Sequence, residues 1–166
     1  EVSRLDIPIV VHVGNANPTA VDIYRKHLGT RAGFEVFRLP TIGAFHSIIM
    51  GEIPERFPRL RFGFLEAGAQ WVPFAIHDLR KRLLGRFGRK LGDNALKESR
   101  IWVACETDDD LPYVLRYAGE DNLVIGTDYG HADQSTEIEA LRNLKRKSDI
   151  DPGIIDKILG ENPKTL

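Results

Sequence analysis

The sequence predicts an α/β fold built on a parallel sheet, and three observations carry that expectation. Four short apolar runs, at residues 7–13, 60–65, 101–104 and 123–125, are rich in Val, Ile or Phe and bounded by turn residues. They are continuous rather than alternating, as strands buried on both faces are. Patterns of helical periodicity separate them, and strands alternating with helices imply parallel pairing through right-handed crossovers.

The elements follow in order. After the first run, Asn17-Pro18 opens a helix over residues 19–28. Residues 41–57 form a second helical pattern, apolar at Ile42, Phe45, Ile48, Ile49 and Ile53, with Pro54 placed to kink or end it. Beyond the second run, residues 71–84 carry Phe74, Leu79, Leu83 and Leu84 on one side. Residues 85–99, with Gly85, Gly88 and Gly92 among charges, are expected as a surface connection. Arg80, Lys81, Arg82, Arg86, Arg89 and Lys90 read as a solvated helix end. Only Phe87 interleaves them, so base stacking on nucleic acid has little support. A helix over residues 108–118 opens on acidic residues, which suit its positive end. Helices at residues 135–147 and 152–159 close the pattern, the last with Asp151 as N-cap and Pro152 in its first turn.

Composition narrows the function classes. A chain of 166 residues, 42% hydrophobic and 28% charged, suits one domain around one core. Its 23 basic and 24 acidic residues give a formal net charge of −1, so no global basic field points to nucleic acid. The absence of a bilayer-length apolar run and of a secretory signal sets the expectation of no membrane partner and a cytoplasmic location. The single cysteine, Cys105, excludes a disulfide framework and is compatible with a reducing compartment. The sequence begins at Glu1, its only methionine is Met50, and a buried strand is expected close to that beginning, so a preceding segment is expected too.

In parallel α/β folds ligands bind at the carboxyl ends of the strands, which makes the residues closing each run the candidates. The first run carries His12 in Val11-His12-Val13-Gly14, and the second ends in Glu66 before Ala67-Gly68. The third ends in Cys105-Glu106, and the fourth in Gly126-Thr127-Asp128, with His131 nearby. Burying such groups is costly unless they are paired or bind a metal, and one shared site explains four equivalent ends better than four coincidences. Each residue also has a structural alternative. His12 could be a hydrogen-bonded core histidine, Glu66 and Glu106 partners of helix arginines, and Asp128 a turn cap. His46 and His77 fall inside helices and are expected to be structural, His46 being the better placed to reach the site. His27 reads as a charge partner for a helix C-terminus. Ser47 and Cys105 lack a convincing base and orienting group for nucleophilic catalysis.

Two stretches have a recognisable character. Gly51-Glu52-Ile53-Pro54-Glu55-Arg56-Phe57-Pro58-Arg59-Leu60-Arg61-Phe62 runs into Leu65-Glu66-Ala67-Gly68-Ala69-Gln70-Trp71-Val72-Pro73-Phe74. It resembles the amidohydrolase-related family that includes aminocarboxymuconate-semialdehyde decarboxylase. So does Asn122-Leu123-Val124-Ile125-Gly126-Thr127-Asp128-Tyr129-Gly130-His131, where that family has a Gly-Ser-Asp-Tyr-Pro-His type of segment. Ile158-Leu159-Gly160-Glu161-Asn162 is similar to the family's C-terminal helix.

The resemblance covers nearly the whole chain. It implies the C-terminal half of a (β/α)8 TIM barrel, with residues 1–166 a single partial domain carrying strands five to eight. It also implies a divalent metal, zinc, in the full-length enzyme. His12 would match the fifth-strand metal histidine, and Asp128 the eighth-strand aspartate that binds the metal or handles a proton. Glu66 stands where many relatives place a catalytic histidine and where one branch of the family has Glu-x-Gly. Gly130 replaces the usual proline. The family's first strand supplies a His-x-His pair, and this sequence contains none.

The function so implied is a metal-dependent hydrolase or decarboxylase of a small carboxylated, amide or lactone substrate. Asp128 and Glu66 would be catalytic, with Trp71, Tyr129 and His131 against the substrate and Phe74 a further wall residue, Trp71 being equally suited to the core. Without the first-strand pair, the chain alone is expected to bind zinc poorly and to be inert. Two open sheet edges and an apolar inner face predict either self-association as a homo-oligomer or a flattened open sheet. Two alternatives stand beside this: a non-catalytic domain that kept the barrel scaffold, and a self-contained doubly wound domain with a switch point.

Overall fold

The computed structural model describes residues 1–13, 18–131 and 136–166. Gly14, Asn17 and Ser135, expected in a strand-end turn and at two helix starts, lie outside the described residues. A short helix α1 (Val2–Leu5) precedes strand β1 (Ile9–His12), and α2 (Pro18–Leu28), α3 (Leu39–Met50) and α4 (Ile53–Arg56) lead to β2 (Phe62–Leu65). Helices α5 (Val72–Phe87) and α6 (Ala95–Ser99) lead to β3 (Ile101–Cys105), and α7 (Leu111–Ala118) to β4 (Leu123–Ile125). The last helices are α8 (Ala140–Lys145), α9 (Pro152–Asp156) and α10 (Asn162–Thr165).

The strands form one parallel sheet in the order β1-β2-β3-β4. Each strand lies beside its predecessor, as in an arc of a (β/α)8 barrel, and the order never reverses. The switch point that a doubly wound domain needs is therefore missing from this sheet.

Alternation along the strands separates two faces. Phe62, Phe64, Ile101, Val103, Cys105 and Leu123 join the core with residues of the helices, among them Phe45, Ile76, Leu79, Val114, Leu144 and Ile158. Burying each large side chain of this set stabilises the fold by about 1.5–3 kcal/mol. Gly63, Leu65, Trp102, Ala104 and Val124 take the opposite, inner face. A Cβ added to Gly63 would stand 3.2 Å from Leu166 Cδ2, so glycine here leaves room for Leu166 to lie against the inner face.

Several expectations change. β1 is not buried on both faces: it pairs on one side only, and Val10 remains 47% exposed. The helix expected over residues 71–84 runs to Phe87, because its buried stripe of Val72, Ile76, Leu79 and Leu83 outweighs one glycine at Gly85. Gly88 in left-handed conformation (φ 63°) ends it, and Ala95 and Leu96 of α6 are buried where a surface connection was expected. The pattern over residues 41–57 divides at Gly51-Glu52, where Glu52 is left-handed and accepts from Arg89 Nη1 at 3.0 Å, with Glu55 ion-paired to the same nitrogen at 3.2 Å. One further feature has no periodicity to announce it: a turn of π-helix over Phe34–Arg38 that buries Val36.

Candidate metal centre at the strand ends

The parallel register sets His12, the last residue of β1, opposite Leu65, the last of β2. Glu66 follows at once, and His12 Nε2 lies 2.8 Å from Glu66 Oε1. Past β4, His131 Nδ1 stands 3.1 Å from Asp128 Oδ2. Ligand atoms of Glu66, Asp128 and His131 all lie within 4.8 Å of one another. The loops thus bring two carboxylates and an imidazole together, with a second imidazole bonded to Glu66.

Backbone conformation achieves this convergence. Glu66 (φ 61°) and Asp128 (φ 48°) are both left-handed, although neither is glycine. Such conformations cost about 1–3 kcal/mol each and persist where the surroundings over-determine them. Gly130 has φ 98°, a value closed to proline, which accounts for glycine where the resembling family has proline.

A cavity of about 240 Å³ opens beside the cluster. Leu65, Ala104 and Val124 of the inner face give it an apolar floor, and Glu66, Glu106 and Asp128 supply carboxylates to its wall. Burial raises the Glu106 carboxyl above the ordinary range, while the Arg38 guanidinium opposes that from 3.6 Å. The Cys105 thiol also borders the cavity but is buried, and burial, helped by the charge of Asp109, pushes it up to about 12. It is an inert thiol, not a nucleophile. Glu137 links the loops after β3 and β4. Its carboxylate accepts from Thr107 Oγ1 at 2.5 Å and Asn143 Nδ2 at 2.7 Å, and its N–H donates to the Thr127 carbonyl at 3.0 Å.

The other expected residues divide by what they touch. His12 is half-exposed and bonded to Glu66, and Glu66 has this imidazole beside it where an arginine was one alternative. Glu106 does have an arginine partner, Arg38. Trp71 is half-buried, donates from Nε1 to the Gly68 carbonyl at 2.8 Å, and packs edge-on at 5.1 Å from Phe45 and 6.0 Å from Phe64. Its ring lies in the core beneath the loop after β2. Tyr129 is 83% exposed and Phe74 71%. His46 bonds Asp78 at 2.9 Å, bridging α3 to α5. Arg82 first, then His46, holds the Asp78 carboxyl below its usual range. His77 is exposed, and His27 stands in the last turn of α2 beside Arg25 and Lys26.

Sequence reasoning missed Asp109. Within the acidic run Asp108-Asp109-Asp110, only Asp110 caps α7, accepting from the Tyr113 N–H at 3.1 Å. Asp109 is buried and points the other way, onto the loop after β2. Three adjacent aspartates give no sequence signal for which one turns inward.

A family model described as Amidohydrolase matches residues 1–166. Among solved structures, an amidohydrolase from Mycobacterium avium subsp. paratuberculosis K-10 is similar at 19% identity and a TM-score of 0.73, over 98% of this chain and 42% of that one. The 5-carboxyvanillate decarboxylase from Sphingomonas paucimobilis is similar at 16% identity and a TM-score of 0.71, over 97% of this chain and 49% of its own. A dihydroxybenzoic acid decarboxylase from Polaromonas sp. JS666, solved with manganese and the inhibitor 2-nitroresorcinol, is similar at 18% identity and a TM-score of 0.66, over 98% and 50%. No curated protein matches the sequence. The chain spans about half the length of the solved structures it matches.

Proposed function

From the premise that this chain belongs to the amidohydrolase family, we propose that it supplies part of a metal-dependent enzyme acting on a small carboxylated substrate, with decarboxylation the leading reaction. Hydrolysis of an amide or lactone at the same centre is the second reading. We assign the four strands to positions five to eight of the barrel. The observation that carries the proposal is the convergence of Glu66, Asp128 and His131 within 4.8 Å.

The donor set fits a divalent cation. Two carboxylates and an imidazole match the oxygen and nitrogen ligands of zinc, and manganese accepts the same carboxylates. Glu66, Asp128 and His131 would hold the ion, with His12 bonded to Glu66. When bound, a zinc ion polarises substrate oxygens and lowers the pKa of its water to about 7.

The chain's own residues supply the rest. Asp128, oriented by His131, delivers the proton that replaces the departing carboxylate. In that step the bond from ring carbon to carboxylate breaks, its electron pair forms the new C–H bond, and CO2 leaves. Glu66 fixes His12 and is the second carboxyl able to carry a proton. Tyr129 and His131 border the substrate from the loop after β4, and Trp71 supports the loop of Glu66 from behind. The apolar floor excludes water from the reacting carbon.

A homo-oligomeric, cytoplasmic protein completes the reading. Among the described residues, no helix is long and apolar enough to cross a membrane. To test the function, the full-length protein is stripped with chelator, reloaded with Zn2+ or Mn2+, and assayed for CO2 release from hydroxylated and methoxylated benzoic acids. Activity should vanish on stripping and return with one of the two ions. Turnover indifferent to metal removal would contradict the proposal.

A further inference from the structure

Asp109 lies behind the cavity wall and holds three backbone N–H groups in two loops. Its Oδ2 accepts from Ala69 N and from Glu106 N, both at 2.8 Å, and its Oδ1 accepts from Gln70 N at 3.1 Å. The tie is reciprocal, because Gln70 Oε1 accepts from Asp110 N at 2.8 Å. The residue is 7% exposed. A buried carboxylate is costly unless its lone pairs are satisfied, and charge-assisted bonds from N–H groups do this strongly.

The positions of those N–H groups matter. Ala69 and Gln70 lie just beyond Glu66 and Gly68, which are left-handed at φ 61° and 62°. Two such residues in so short a span reverse the chain sharply as it leaves β2. Anchoring the far side of the reversal leaves Glu66 little freedom to relax toward an ordinary conformation. The packing is tight: a Cβ on Gly68 would stand 3.2 Å from Glu106 Oε2 and 3.3 Å from Asp109 Oδ1. Arg38 braces the same loop by donating to the Ala67 carbonyl at 2.8 Å.

We infer that Asp109 is a positioning residue for the metal centre: by stitching the loop after β2 to the loop after β3, it fixes Glu66 in its ligating conformation and sets Glu106 against the cavity. The inference rests on the metal reading above. Asp109→Asn preserves volume but turns an NH2 group toward at least one N–H, so the stitch must open on one side.

The test titrates the full-length protein with Co2+, whose visible absorption reports ligand geometry. Asp109→Asn is compared with Leu144→Ala, a core change at α8 that lowers the melting temperature and removes none of these hydrogen bonds. Asp109→Asn should weaken Co2+ binding by about 10-fold or more, as loss of a ligand-orienting group does, and alter the visible band. Leu144→Ala should change neither. Unaltered affinity and spectrum in Asp109→Asn would overturn the inference, as would an equal loss in Leu144→Ala. Should Asp109→Asn fail to fold, Gln70→Ala removes only the reciprocal bond and should shift affinity in the same direction; no shift there overturns the inference as well. A wild-type protein that takes up no Co2+ is a failure of the metal reading itself, seen before any variant is made, and removes this role with it.

Discussion

The two ends of the sheet both carry clustered charges, and they are built on opposite rules. At the amino ends of the strands, Asp121 lies between Lys97 Nζ at 2.7 Å and Lys157 Nζ at 3.0 Å, and Lys157 reaches Glu120 at 2.6 Å. Lys97 first, then Lys157, holds the Asp121 carboxyl below its usual range. In the carboxyl-end cluster the partners are imidazoles, His12 for Glu66 and His131 for Asp128, while Glu106 beside it pairs with Arg38. A lysine ammonium has no lone pair to offer, so the amino-end cluster is complete as an ion-pair network. An imidazole has one, so the carboxyl-end cluster is a set of donors.

If the division is right, substitutions at the two ends should separate chemistry from stability. The largest effect is expected for Asp128→Ala in the full-length enzyme. Turnover should fall by at least about 100-fold, the scale of a lost general acid, with the circular dichroism spectrum unchanged. Wild-type rates would end the assignment of Asp128.

Next comes Asn162, which is buried and donates from Nδ2 to the Glu120 and Leu123 carbonyls, both at 2.8 Å. Asn162→Ala leaves those carbonyls unmatched and should cost about 1–3 kcal/mol in urea unfolding while sparing Co2+ affinity.

Asp121→Asn should do less, under about 1 kcal/mol near neutral pH, because both lysine contacts are partly solvated. The pH dependence has a definite sign. A carboxyl held low in the fold adds stability above its unfolded value, and that stability disappears as pH falls through the folded value. The gap between wild type and Asp121→Asn in pH-dependent urea unfolding should therefore close as the solution is acidified below the usual carboxylate range, and a gap that widened would contradict the pairing.

The smallest effect concerns Cys105. With its thiol pushed up to about 12 by burial, it should resist a disulfide reagent at pH 8 in the folded protein and react once unfolded. Rapid native labelling would show the cavity to be more open than described.

Much of this was legible in the sequence, for a definite reason. β4 is bounded by Asn122 and Gly126, and its limits could be read directly. His12, Glu66, Asp128 and His131 could be named because parallel strands deliver their carboxyl ends to one side. What periodicity does not carry is conformation. The expectation named His12 and Asp128 as metal ligands with Glu66 or His131 as extras, and the group within 4.8 Å is Glu66, Asp128 and His131, with His12 bonded to Glu66. The left-handed backbone at Glu66 and Asp128 that shapes this group is encoded by no hydrophobic pattern. Asp109 escaped because burial of one aspartate among three depends on a loop distant in sequence. For Trp71 the sequence left pocket wall and core open, and its ring packs on Phe45 and Phe64, partners fixed only once α3 packs against the sheet.

The central claim, that the carboxyl-end cluster is a cation site and the amino-end cluster is not, can be measured in one experiment. The full-length protein and its Glu66→Gln, Asp128→Asn, His131→Asn and Asp121→Asn variants are titrated with Zn2+ by calorimetry. The account predicts saturable binding in the wild type, losses of about 10-fold or more in each of the first three variants, and wild-type affinity in Asp121→Asn. Undiminished affinity in all of the first three, or a loss confined to Asp121→Asn, would contradict it.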